Sequence, residues 1–269
     1  MSRRSGADAV ALHLLLGAIG SAALILLIAP SLVVIIVSFT SGFSLKFPPP
    51  GYSLRWYAAL ANAWQLQFAA RNSLEVAVAT TALTVVAGVP AALAIARSKA
   101  AAARILDMVF MSPLVLPALA FGLASLMWFT LLGLPVSTMT LVIGHAVVCT
   151  PFVIRTSVAA LAQLDPNWLE SSASLGASPW YTFRRITLPT IRPGVLAGAF
   201  FSFMSSFDNV PVSLFLRDAR TDMLPIRMWQ EMESKLDVTT AAMSTVLIAL
   251  TLIAMVVMER LAGLSRRIV

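Results

Sequence analysis

The chain has 269 residues, 59% of them hydrophobic and 12% charged, with a mean hydropathy of +0.87. A soluble domain is roughly 45–50% apolar and about 25% charged, so these figures exclude one and point to an integral membrane protein. The net charge of +7 does not signal nucleic acid, because the basic residues lie dispersed at the ends of apolar runs, where membrane topology puts them.

In chain order, Arg3 and Arg4 with the apolar run Leu12–Phe39 that follows them superficially resemble a secretion signal. The run is too long for a cleaved segment and lacks a small-residue cleavage site, so it reads as a first membrane helix. A spanning helix needs about 20 mainly apolar residues that satisfy their own backbone hydrogen bonds. Six segments qualify: Ala11–Phe39, Ser73–Ala96, Ile105–Leu131, Val136–Leu161, Gly194–Leu216 and Val238–Leu261. The expected fold class is therefore an all-α integral membrane protein with six transmembrane helices.

Between the first two spans, the prolines of Lys46–Gly51 withhold donors and cannot continue a helix. After them, Leu54–Leu66 suits a short helix whose Trp56, Tyr57 and Trp64 read either as an aromatic membrane anchor or as a docking surface. Span three carries Ser112-Pro113 and Leu116-Pro117, and span four carries Thr150-Pro151. Each proline removes an intrahelical bond, which serves a gate or pathway or an ordinary bend.

Arg3, Arg4, Arg97, Lys99, Arg104, Arg155, Arg184, Arg185, Arg192, Arg260, Arg266 and Arg267 put 12 of the 19 basic residues on one side and leave 7 on the other. With six spans both termini lie on the richer side, which is the expected cytoplasmic face. Cys149 has no intrachain partner, and His13 and His145 stand apart from carboxylates at ligand spacing, so neither a metal site nor a catalytic group is expected.

The polar, basic stretch Glu170–Pro189 interrupts this apolar chain between spans four and five. Asp165 offers an N-cap with Pro166 at the first helical position, and Trp168, Leu169, Ala173 and Leu175 are expected to form a compact face. Gly176 permits a turn, Ser178-Pro179 opens a second helix through Trp180, Phe183 and Ile186, and Pro189 and Pro193 are expected to limit it. The expectation is two short helices parallel to the membrane.

Glu170, Gly176, Ile186, Leu188 and Pro189 fall at the spacing of the cytoplasmic EAA signature, with Ser171 and Ser172 where alanines are usual. On these residues the chain resembles the permease subunits of type I, binding-protein-dependent ABC importers, of MetI-like architecture. The resemblance implies one transmembrane permease domain over residues 1–269, with residues 161–193 as its cytoplasmic coupling segment in a bacterial inner membrane. It also implies a second homologous permease chain, two ATP-binding subunits, an extracytoplasmic substrate-binding protein and contact with membrane lipid. The first short helix would then enter a groove on a cytoplasmic ATPase, where Glu170 would meet a basic or backbone-donor site, Gly176 would set the bend, and Trp180 or Phe183 would pack at the joint.

No phosphate-binding loop is present, so ATP and Mg belong to the partner subunits, and the chain is expected to hold no cofactor and to be no enzyme.

Span five passes through Phe200, Phe201, Phe203, Phe207, Asp208 and Asn209 before Pro211. A carboxylate there is costly in lipid and belongs against protein or a water-filled path, so Asp208 is either a helix-end contact or a cation-recognition group. Phe207 offers a ring face or simply packs. Residues Ser206–Ser213, with Asn72-Ser73-Leu74 and Leu224-Pro225, resemble the spermidine and putrescine branch of these permeases. Asn209 stands where some relatives carry a second acid, which weakens the negative field but keeps hydrogen-bonding capacity. The function implied is a polyamine import permease. The alternatives are an importer permease for iron, thiamine or phosphonate, an ion-coupled secondary transporter or channel, and a membrane scaffold.

Overall fold

The computed structural model describes residues 6–98, 100–218, 220–235 and 237–262. Arg3, Arg4, Lys99, Arg266 and Arg267, which enter the charge argument, lie outside them. Twelve α-helices are found among the described residues, with no β-strand beyond an isolated bridge between Thr40 and Tyr52. Five helices are long and apolar enough to cross a membrane, or six if one bent pair counts as a single span.

The chain divides into two compact units, Met1–Ala63 with Glu231–Leu252, and Trp64–Gln230 with Ile253–Val269. In the first, α1 (Gly6–Ser38) is apolar on every face and exposes Leu14, Ile25 and Leu26, as a helix solvated by lipid or by other chains does. The proline-rich loop after it folds back on itself. Ser41 N–H donates to Gly51 O and Ser53 N–H to Phe39 O. Arg55 opens α2 (Arg55–Asn62), donates to Gly42 O, and lies over the rings of Phe43 and Trp56 at 4.2 and 4.9 Å. Trp56 also donates to Gly42 O, and Tyr57 shares a 2.7 Å hydrogen bond with Ser38. Of the three aromatics read as a membrane anchor or a docking surface, Trp56 is engaged by the loop and Tyr57 by the end of α1, and Trp64 is the exposed one.

The second unit is built on α3 (Trp64–Arg97), α6 (Thr138–Leu161) and α9 (Leu188–Phe207), which pack on one another. Helix α3 begins nine residues earlier than the apolar run that announced it, directly after Ala63, where α2 ends. Small residues let these helices approach: a Cβ on Gly198 would stand 2.7 Å from Val153 Cα, so α9 meets α6 backbone to backbone. Thr84 and Ser202 join α3 to α9 by a buried 2.8 Å hydrogen bond.

Span three is not one helix. It is α4 (Ala101–Val115) and α5 (Ala118–Leu131), bent by 108°. The break falls at Leu116, held extended (φ −72°, ψ 142°) by the proline that follows it. Pro113 and Pro151 instead remain inside their helices, beside Ser112 and Thr150, whose hydroxyls donate to Val109 O and Ala146 O.

Span five also differs from expectation. Pro189 and Pro193 do not end the second short helix: α8 (Pro179–Thr182) runs through a π-helical turn at Phe183–Thr187 into α9. Leu188 N–H reaches Phe183 O across the wider turn, which accommodates the donor that Pro189 lacks. The continuous helical stretch ends at Phe207 rather than Leu216, and α10 (Val210–Leu216) is a separate short helix. The chain closes with α11 (Leu224–Lys235) and α12 (Val238–Ala262).

Candidate functional site

Two places in the second unit carry the sequence-derived residues: the polar segment from Asp165 to Pro189, and the corner between α9 and α10. In the first, Asp165 Oδ1 accepts from Asn167 N–H at 2.9 Å and Pro166 occupies the first turn, which starts α7 (Pro166–Ser174). The helix ends in a Schellman arrangement: Ala177 N–H donates to Ser172 O, Gly176 N–H to Ala173 O, and Gly176 takes φ +78°. Nothing lies within 4 Å of where a Gly176 Cβ would stand, so glycine is needed there for the backbone and not for space.

Ser172 is buried, and its hydroxyl forms a 2.8 Å hydrogen bond with that of Thr182, tying α7 to α8. Ser178 caps α8 by accepting from Tyr181 N–H. Trp180 packs on Phe183 with ring centroids 5.6 Å apart, yet stays 67% exposed. Of the expected compact face of Trp168, Leu169, Ala173 and Leu175, only Leu169 is half-buried: Leu175 is 87% exposed, and Trp168 and Ala173 are exposed too. A helix of nine residues has too little chain behind it to cover that face. Glu170 and Ser171 are exposed, and the Glu170 carboxylate has no hydrogen bond or ion pair among the described residues. Ile186 and Leu188 lie at the π turn, and Pro189 is exposed at the start of α9. The polar connector thus displays Trp168, Leu175, Trp180 and Tyr181 as exposed apolar surface, of the kind that meets a protein or a membrane.

At the corner, Asp208 N–H donates to Met204 O and Asn209 N–H to Ser206 O, after which α9 stops. Asn209 Oδ1 accepts from Val212 N–H at 3.0 Å and caps α10, with Pro211 in its first turn. The capping role therefore belongs to Asn209. Asp208 is exposed, and its carboxylate has no partner among the described residues. A carboxylate at a helix C-terminal end faces the negative end of the helix dipole, a placement disfavoured by about 0.3–1 kcal/mol. Phe207 is partly buried and stacks on Phe203 at 5.9 Å.

His145, read from sequence as solitary, is fully buried on α6 and bonded through both ring nitrogens: Nδ1 to Ser206 Oγ at 2.9 Å and Nε2 to Ser213 Oγ at 3.0 Å. Its partners flank the corner, one in the last turn of α9 and one in α10. Asn72-Ser73 and Leu224, distant in sequence, also meet: Asn72 Nδ2 donates to Arg220 O and Asp222 O at 3.0 Å, and Leu224 N–H donates to Ser73 Oγ at 2.9 Å. These contacts hold the connection after α10 against the start of α3. The described residues contain no cluster of three or more potential metal ligands.

Residues 84–267 match the family described as the binding-protein-dependent transport system inner membrane component. The chain belongs to this family. The permease is 31% identical to the spermidine/putrescine transport system permease protein PotC of Escherichia coli, over 93% of this chain and 94% of that protein. It is 28% identical to the putrescine transport system permease protein PotI of the same organism, over 82% of this chain and 81% of that one. In fold, the permease is similar to a chain of a bacterial ABC transporter involved in the import of alginate, with a TM-score of 0.70 at 13% identity, covering 98% of this chain and 99% of that one. A chain of the inward-facing MetNI methionine ABC transporter gives a TM-score of 0.62 at 17% identity over 76% of this chain and 97% of that one. The architecture is that of a type I ABC importer permease, a multi-pass inner membrane transport subunit.

Proposed function

We propose that this permease is the transmembrane half of an ATP-driven importer for putrescine, spermidine or a related small cation. The observation that carries the solute class is the PotC relationship over 93% of the chain. Asp208 supports it, as an ionisable side chain left without a counter-charge where α9 breaks. In a low-dielectric surrounding such a carboxylate attracts an ammonium group far more strongly than it would in water.

Residues 1–269 act as one permease domain beside a second, homologous permease chain. Residues 161–193 face the cytoplasm with both termini, following the excess of basic residues there. An extracytoplasmic protein delivers the solute, and two ATP-binding subunits hold ATP and Mg. Trp168, Leu175, Trp180 and Tyr181 are covered by an ATPase groove, and Glu170 finds its partner in it. The chain itself hydrolyses nothing: nucleotide-driven closure of the ATPases pulls on α7 and α8, and the π turn passes that movement directly into α9, without an intervening loop. The corner at the far end of α9 then meets the solute.

Uptake into vesicles carrying the complete complex tests the solute class. Putrescine and spermidine are expected to enter in an ATP-dependent, saturable way, and neutral and anionic nutrients are not. Uptake of a neutral or anionic solute with no response to either polyamine would overturn the assignment.

A further inference from the structure

The corner that presents Asp208 is not held by its own backbone. The helical ladder stops at Asp208, and the two residues that separate α9 from α10 contribute only local turns. What joins the two helices across the break is a side chain from a third: His145 on α6, one nitrogen on Ser206 and the other on Ser213. All three side chains are fully buried. Close packing on α6 leaves little room for alternatives, since a Cβ on the neighbouring Gly144 would stand 2.5 Å from Leu216 Cδ1 of α10.

The chemistry of the ring makes the clasp directional. A neutral imidazole has one N–H and one acceptor nitrogen, so one serine donates to the ring while the other accepts from it. Neither bond is easily replaced in the membrane interior, where no bulk water competes for the freed groups. Both helix ends are thereby referred to the same rigid ring, and the exposed carboxylate two residues beyond Ser206 is set in position by it.

We infer that His145 is a positioning residue for translocation: through Ser206 and Ser213 it fixes the α9–α10 corner so that the Asp208 carboxylate stands in the solute path. This rests on the reading of Asp208 as solute-facing. His145 touches no solute and acts only through the corner.

The test is a double-mutant cycle on putrescine uptake by the complete complex in vesicles, expressed per assembled complex so that losses of folding or assembly drop out. Asp208→Asn and His145→Ala are each expected to lower the maximal rate about ten-fold, with the half-saturating concentration unchanged because an external protein captures the solute. His145→Gln, which keeps one donor and one acceptor, is expected to recover part of the loss. In the Asp208→Asn background His145→Ala is expected to cost nothing further. A full additional ten-fold loss in that background, or a normal rate in His145→Ala, overturns the inference while leaving the role of Asp208 intact. A normal rate in Asp208→Asn overturns the reading of Asp208 and the inference with it. If His145→Ala does not assemble, Ser213→Ala removes one of the two bonds and enters the same cycle with the same criteria.

Discussion

The coupling segment and the α9–α10 corner are both interruptions of an apolar chain, but they are built in opposite ways. The segment is held together by local bonds: an Asp165 cap, a Schellman turn at Gly176 and one hydroxyl pair between Ser172 and Thr182. Of its large side chains, Trp168, Leu175, Trp180 and Tyr181 are exposed. The corner is held by distant bonds, from α6 to both flanking helices, and nearly everything around it except Asp208 is buried or half-buried. On the proposed roles, the surface for another protein keeps its apolar groups outside, whereas the surface for a small solute keeps one polar group outside and fixes what lies behind it.

The largest expected effect separates the two at a stroke. Asp208→Asn removes a charge-assisted contact worth about 1.5–3 kcal/mol, so polyamine uptake per assembled complex falls roughly ten-fold or more while the ATPase subunits stay bound. Loss of the ATPases from this variant would erase the division of labour.

Gly176 sharpens the comparison from the other side. Any L-residue at φ +78° is strained by roughly 1–2 kcal/mol, and a Cβ there meets nothing within the chain. Gly176→Ala and Gly176→Trp should therefore destabilise the isolated permease equally, as read by thermal unfolding. In the complete complex the tryptophan variant alone is expected to lose coupling between ATP hydrolysis and uptake, because its bulk meets the partner. Equal coupling defects in both would mean that the backbone, and not a covering groove, sets the requirement.

A smaller effect is expected at Ser172, where alanine deletes the hydroxyl pair with Thr182. About 1 kcal/mol of local stability should go with it, seen as faster hydrogen exchange in residues 166–182 and little change in exchange at the corner.

The smallest concerns the connection after α10. Burial works against the ionised Asp218, but hydrogen bonds from the Thr221 hydroxyl and from the Arg220 and Thr221 amides, with the Arg220 charge, outweigh it and hold the carboxyl below its ordinary range. A depressed folded value means that the ionised turn contributes fully above the unfolded pKa of about 3.9 and loses that contribution as pH falls through the folded value. The protection of the amides of residues 218 and 220–222, taken relative to their intrinsic exchange rates at each pH, should therefore fall on acidification below about pH 4, and Asp218→Asn should abolish that loss. The corner itself should not respond in step.

The contrast between local and distant bonding also explains what the sequence disclosed. Asp165-Pro166 and Ser178-Pro179 announce their helices because a cap and its helix are neighbours in the chain, and the spacing from Glu170 to Pro189 exposes the segment for the same reason. The apolar lengths of α1, α6 and α12 are read with ends displaced by a few residues. The 108° bend was not legible, since Pro113, Pro117 and Pro151 look alike in sequence and only the extended backbone at Leu116 separates the one that breaks its span. Nor was the continuity of α8 with α9, because a π turn that accommodates Pro189 leaves no compositional mark. The role of His145 leaves no local mark, because its partners are 61 and 68 residues away. The serines on either side of the Asp208–Pro211 break were the one available hint.

The central claim is that the exposed apolar face of the coupling segment is the seat of the ATPase. Purification of the complex on a tag carried by this chain tests it most directly, comparing the wild type with Leu175→Ser/Trp180→Ser. Both side chains are largely exposed, so their replacement leaves the permease folded. The wild type is expected to retain both ATPase subunits and the double variant to lose them while keeping its partner permease. Equal retention in the two preparations would contradict the account.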